Sequence, residues 1–351
     1  MNKKTKYAQN GALIFGIANA ILNATEQLKA SKNNPNSKFD WTQLFAAAGK
    51  GALFGGGCGL GVGAIKDFNN SLMKPSNIDP YLQKLADKVR LDKQSPKYKL
   101  IDEKARLLSG MIINRFRDKL AGNPERLGST EKGTALQQKF DIDLSVKFKH
   151  NGFASTVDMR FALLKFLKSK VGTNQIVEVR EQRSSIGVLF NIEGKEYRID
   201  IVPIKITEGN KHSGYLSVSE TSILSNNYSR QKTNIKVLNS IRLSETQRRI
   251  ILVLKHWRIK NDVPIGSHLL ENLVLDAYAY ARTIPNGFTK KVVMVLKHIA
   301  NNLEVAVIRG AENTNNVITD IDQDKKQKII AACKNAVEEY EYQPNNIKTI
   351  F

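Results

Sequence analysis

The stretch GSTEKGTALQQKFDIDLSV, residues 128–146, decides how the rest of the chain is read. Asp141 and Asp143 stand one residue apart inside an apolar run. As a strand, DIDLSV sends both acids to one face and Ile142 and Leu144 to the other, because side chains alternate along extended backbone. Two like charges side by side repel each other. They are tolerated where a divalent cation lies between them, and Mg²⁺ prefers a few carboxylates together with phosphate oxygens. A third acid in the same setting is Asp200, inside the apolar run YRIDIVP. Upstream, Gly128 lets backbone approach a phosphate closely and Ser129 adds a hydroxyl donor. The turn that follows offers free N–H groups to an anion.

Gly-Ser, then Asp-x-Asp on a strand, then a lone Asp on a later strand resembles the polymerase-β-like nucleotidyltransferases. Further on, RRIILVLKHWR (248–258) followed by GSHLLENLV (266–274) is similar to the helical half of the 2′-5′-oligoadenylate synthase and cyclic GMP-AMP synthase group. The bacterial members of that group are the CD-NTases. The resemblance covers about residues 100–300. It implies an α+β fold: a polymerase-β-like core, with a small mixed sheet and helices, plus a C-terminal helical lobe. It implies that Asp141, Asp143 and Asp200 are catalytic and hold two Mg²⁺ or Mn²⁺ ions. Gly128, Ser129, Lys255 and Ser267 would bind the NTP substrate, with Lys255 and Ser267 on the triphosphate. The residue after that Ser is often an aromatic that stacks on the base. Here it is His268, which leaves base preference open.

The implied activity joins nucleotides from NTPs with release of pyrophosphate. Its product would be a cyclic or short linear oligonucleotide messenger of bacterial anti-phage defence. Template-independent addition to RNA or DNA ends is the first alternative. The second is a membrane-acting or oligomer-forming protein gated by a nucleotide-binding domain.

Bulk composition bounds these readings. The chain has 351 residues, enough for about two domains. Its net charge of +21 attracts polyanions, so an activating nucleic acid or other polyanion is an expected partner beside nucleoside triphosphates. Two cysteines, Cys58 and Cys333, make no metal spacing and no disulfide framework. The five histidines form no ligand motif, which argues against structural zinc.

Residues 1–75 read as a glycine-rich apolar helical hairpin preceding the core. Gly51, Gly55, Gly59 and Gly63 recur at every fourth position, forming one ridge where another backbone can approach. Packing inside a soluble protein or homo-oligomer, contact with a membrane or effector protein, and a targeting segment all remain open for it. A basic start before an apolar stretch has the look of a secretion signal. Asn10, Asn19 and Asn23 dilute that stretch, and cytosolic nucleotides favour a cytoplasmic location, membrane-associated if the hairpin inserts. FNNSLMKPSNIDP (68–80) reads as a linker. Residues 76–235 read as the catalytic lobe and 236–351 as a helical lobe completing the NTP site.

Two further motifs are weaker. TDIDQDKK (319–326) has the start of a calcium loop but neither its Gly nor its Glu, so its acids read as helix caps. Arg183 and Ser184 precede a strand that neighbours Asp200 and are candidates for a contact there.

Overall fold

The computed structural model describes residues 78–222, 225–234, 236–237 and 242–351. The hairpin read over residues 1–75 lies outside these. Nothing in the described part contains a helix long and apolar enough to cross a membrane.

Two apolar clusters organise the described residues. The first is built on a mixed sheet of β1 (Glu125–Leu127), β2 (Ile142–Phe148), β3 (Ile176–Glu181), β4 (Ile186–Ile192) and β5 (Lys195–Thr207). Their order is β1-β2-β5-β4-β3, and β2 and β5 are the parallel pair. The far end of β5 continues into a long antiparallel ribbon of β6 (Asn210–Ser222) and β7 (Ser225–Asn234). Helix α1 (Ile78–Val89) comes first in the chain, and α2 (Pro96–Phe116) follows it. Tyr98, Ile101, Ala105, Leu108 and Ile112 of α2 recur at helical spacing and pack on the sheet. A single turn, α3 (Gly128–Lys132), follows β1, and α4 (Thr156–Lys168) covers the sheet with Met159, Leu163 and Leu167. The alternation read in DIDLSV is kept: Ile142 and Leu144 are buried in this core. Asp141 falls just outside the strand and Asp143 lies within it.

The second cluster is helical. It gathers α5 (Glu245–Lys260), α6 (Ser267–Tyr280), α7 (Phe288–Asn302) and α8 (Gln323–Tyr342) around Trp257, Leu270, Val292 and Leu296. A small hairpin of β8 (Arg309–Gly310) and β9 (Asn313–Val317) joins α7 to α8. Helix α1 packs in this cluster through Ile78, Leu82 and Ala86, so the chain begins its described part in the helical lobe and crosses to the sheet at α2. Its first turn, Ile78 to Pro80, is already helical where the composition suggests linker. The Asp79 carboxylate explains this, accepting the Phe288 and Thr289 N–H groups at 2.9 and 2.7 Å and so capping α7 across the fold. Asp322 likewise accepts the Lys325 N–H at 3.1 Å, the capping role read for the 319–326 acids.

Candidate active site

The parallel pairing of β2 with β5 builds the site. Asp143 stands directly opposite Asp200 in that register, and Asp141 lies one residue before the strand begins. The pleat puts Arg198 and Asp200 on one face of β5. Arg198 uses this position to bridge two acids: its Nη2 donates to Asp141 Oδ2 and its Nε lies 3.3 Å from Asp200 Oδ1. Gln182, in the turn between β3 and β4, donates its Nε2–H to Asp200 Oδ1 at 3.0 Å. The nearby Arg183 and Ser184 are not what reaches Asp200. Gln182 is, and an amide in a turn gives no sequence signal for that role.

The electrostatics follow from burial and crowding. Burial, with Asp200 and Asp141 beside it, pushes the Asp143 carboxyl up to about 7. Burial also raises Asp200, although Arg198 and Gln182 work against it. A shift of this kind marks a site short of positive charge.

On the other side of Asp143 lies Gly128. It begins α3 with φ +75°, and a Cβ there would stand 2.0 Å from Asp143 Oδ2. The Gly-Ser turn is thus pressed against the acid. Together they wall one side of a cleft of about 330 Å³ between the two lobes. Gly128, Ser129, Asp141 and Asp143 line it from the sheet side, and Lys255, Arg258, Ser267 and His268 from the helical side. Asp200 sits one strand further in and does not line the cleft itself.

Lys255 lines the cleft from within a buried polar cluster. It is 3% exposed. Its Nζ donates to Glu271 Oε1 at 2.7 Å, to the Thr134 carbonyl at 3.0 Å and to Thr134 Oγ1 at 3.3 Å. Those three bonds use all the donors of an ammonium group. Burial lowers Lys255, while Lys255 and Lys132 overcome burial at Glu271 and hold its carboxyl at about 2. Lys132 of α3 lines the cleft and shares that carboxylate, its Nζ 3.1 Å from Glu271 Oε2. Lys132 and Glu271 are site residues that motif reading passes over, because helical lysines and glutamates are ordinary on a surface.

Ser267 is the first residue of α6, with Gly266 as the cap, so its hydroxyl is not spent on capping. It accepts from Arg258 Nη2 at 2.9 Å, at the cleft wall. His268 follows it, lowered below the ordinary imidazole range by burial, with Lys132 adding to the shift.

Among the described residues, no group of three or more acidic, His or Cys side chains converges on one point as a ready metal site. The donor set nevertheless fits a divalent cation. Three carboxylates crowd at one strand pair, one of them is raised to about 7, and the Arg198 guanidinium stands in as a cation between the other two.

No family model and no curated protein matches this chain. Solved structures do match its fold. E. coli MS115-1 CdnC with ATP aligns at 18% identity over 74% of this chain and 90% of its own, with a TM-score of 0.57. The CD-NTase CdnG of Bradyrhizobium diazoefficiens in complex with GTP aligns at 12% identity over 74% and 90%, with a TM-score of 0.58. The Cid1 poly(U) polymerase, with Mg and 3′-dATP bound, aligns at 13% identity over 76% and 95%, with a TM-score of 0.51. At these identities the likeness is one of fold alone: a mixed sheet with helices joined to a helical lobe, shared with these CD-NTase and poly(U) polymerase structures.

Proposed function

We propose that this chain is a metal-dependent nucleotidyltransferase that joins nucleotides from NTPs, releasing pyrophosphate, and makes a cyclic or short linear oligonucleotide messenger. One observation carries the reading. Asp143 and Asp200 face each other in the parallel β2–β5 register, with Asp141 beside them, at the edge of a cleft whose opposite wall carries Ser267 and His268. Such a site has acids where charge must be neutralised and hydroxyl and cationic donors where a triphosphate must lie.

In this reading Asp141, Asp143 and Asp200 would hold two Mg²⁺ or Mn²⁺ ions. The ions, when bound, lower the acceptor hydroxyl's pKa and neutralise the leaving pyrophosphate. The acceptor oxygen bonds to the α-phosphorus as the bond to pyrophosphate breaks, and the hydroxyl proton is released to solvent. Gly128 keeps Ser129 close to Asp143, so phosphate and acid stay in register. Lys132 and Ser267 contact the triphosphate, and Lys255 reaches it by exchanging a Thr134 bond or supports it through Glu271. Gln182 and Arg198 orient Asp200.

Addition to RNA or DNA ends is the second reading. The likeness to Cid1, comparable in TM-score, and the +21 charge favour it. Incubation of the full chain with all four NTPs and Mg²⁺ or Mn²⁺, analysed by mass spectrometry beside Asp143→Asn, tests both. A small oligonucleotide lost in the variant supports the messenger reading. Product formed only when an RNA or DNA end is supplied selects the second. Turnover that survives Asp143→Asn sinks both.

A further inference from the structure

The cations lining the cleft are not equally free to meet an anion. Glu271 Oε1 accepts from Lys255 Nζ at 2.7 Å and from Thr134 Oγ1 at 2.8 Å, and Oε2 accepts from Lys132 Nζ at 3.1 Å. Both lysines thus face the cleft with their charge matched by one buried carboxylate. Arg258 lies three residues beyond Lys255 on α5, on the same side of the helix, and also lines the cleft. The carboxylate that acts on it is Glu271, already held by its other partners, and no ion pair engages its guanidinium among the described residues.

Arg258 is instead tied to the start of α6. Its Nη1 donates to the Ile265 carbonyl and its Nη2 to Ser267 Oγ at 2.9 Å, while the buried Nε–H has no acceptor among the described residues. A guanidinium has donors only, so Ser267 Oγ is the acceptor in this contact. The serine's own proton is left for another partner. Ser267 makes no capping bond, and it lines the cleft. A charged donor on Oγ also polarises the O–H and strengthens the bond it makes to an acceptor. The Ile265 contact holds the guanidinium against the turn before α6, which fixes the direction of the bond to Ser267.

We infer that Arg258 is a positioning residue for the triphosphate: it turns the Ser267 hydroxyl proton toward a phosphate oxygen. This deepens the nucleotidyltransferase reading and rests on it. Ionised phosphate oxygens only accept, whereas a serine hydroxyl both donates and accepts. Left unbiased, the hydroxyl can present a lone pair to the anion, which is repulsive. With Arg258 bound to one lone pair, donation into the cleft satisfies both groups at once. The unmatched charge of the guanidinium adds a weaker attraction of longer range.

The test is a double-mutant cycle read by calorimetric binding of inorganic triphosphate with Mg²⁺ to the full chain, a probe with no base and no turnover. Ser267→Ala weakens binding at least about tenfold, the scale of one hydrogen bond to a charged group. Arg258→Met does the same in the otherwise unmodified protein. In the Ser267→Ala background it costs less than about threefold, because only its bare charge remains to be lost. Equal losses from Arg258→Met in both backgrounds overturn the inference, since the arginine then acts on the anion or on the fold by itself. Undiminished affinity in either single variant overturns it too. Where Arg258→Met does not fold, Arg258→Lys decides: it keeps a charged donor for Ser267 and stays within about threefold of the unmodified protein, and a larger loss overturns the inference. In all these cases the triphosphate site still stands. Failure of the unmodified protein to bind triphosphate removes that site from the cleft and this inference with it.

Discussion

Gly128 and Asp143 touch so closely that no other residue fits between them: a Cβ on Gly128 would lie 2.0 Å from Asp143 Oδ2. The φ of +75° adds a second reason, since side chains other than glycine rarely adopt it. Gly128→Ala must therefore shift the turn or the acid. We expect nucleotide turnover to fall at least about 100-fold, the scale of a misplacement near 1 Å. Circular dichroism should show the secondary structure retained, because the strain is confined to one turn.

The raised Asp143 carboxyl ties stability to pH in an unusual direction. Its folded value, about 7, lies above its ordinary 3.8. Its contribution to stability is then full below the unfolded value and is lost as pH rises through about 7. Metal-free protein should melt at lower temperature at pH 8 than at pH 5.5 in proportion to this group. Asp143→Asn removes the charge. It should stabilise the metal-free protein at pH 8 by on the order of 2 kcal/mol while abolishing activity. Thermal melts with chelator against pH check this, and added Mn²⁺ should raise the midpoint of the unmodified protein only.

Lys255 and Glu271 form a buried pair, and removing one charge strands the other. Glu271→Gln should cost about 3 kcal/mol in denaturant unfolding. The double change Lys255→Met with Glu271→Leu should recover most of that stability without recovering activity, since apolar replacement of a whole buried pair is tolerated. Glu271 is depressed to about 2, so its stabilisation is present above its unfolded value near 4.5 and is lost only as pH falls toward 2.

Arg160 holds the turn that delivers Gln182. It is fully buried in α4, with Nε 2.6 Å from Glu181 Oε1, Nη1 2.7 Å from the Ser217 carbonyl, and Nη2 donating to the Gln182 carbonyl. Arg160→Met should destabilise the fold by about 3 kcal/mol, leaving carbonyls without donors. Gln182→Leu tests the outer step alone. Its melting temperature should stay within about 2 °C of the unmodified protein, because a half-buried amide contributes little. Mn²⁺ affinity should change, because Asp200 loses a donor that favours its charged form.

The sequence by itself determined the local pieces. Alternation in DIDLSV put Asp141 and Asp143 apart from Ile142 and Leu144. GVLFNIEG and KEYRIDIVPI pair across Gly194 as β4 and β5. The helices after residue 240 follow their 3.6-residue apolar spacing. These are properties of neighbouring residues, and chain geometry alone enforces them. The β6–β7 ribbon and the β8–β9 hairpin were not legible, because SNNYSRQKTN and NTNNV are mostly polar, with single apolar or aromatic residues that make no alternation.

Tertiary structure decided the rest of the site. Lys255 meets Thr134 across 121 residues, and Arg198 meets Asp141 across 57. A lysine in K-x-W spacing carries no mark of whether it will face a phosphate or be buried against Glu271. That depends on how closely the two lobes approach and on which carboxylate the docking leaves within reach. Patterning sets which face of an element is apolar. Partner choice among charged side chains is a matter of distance and burial, and both exist only once the lobes have packed.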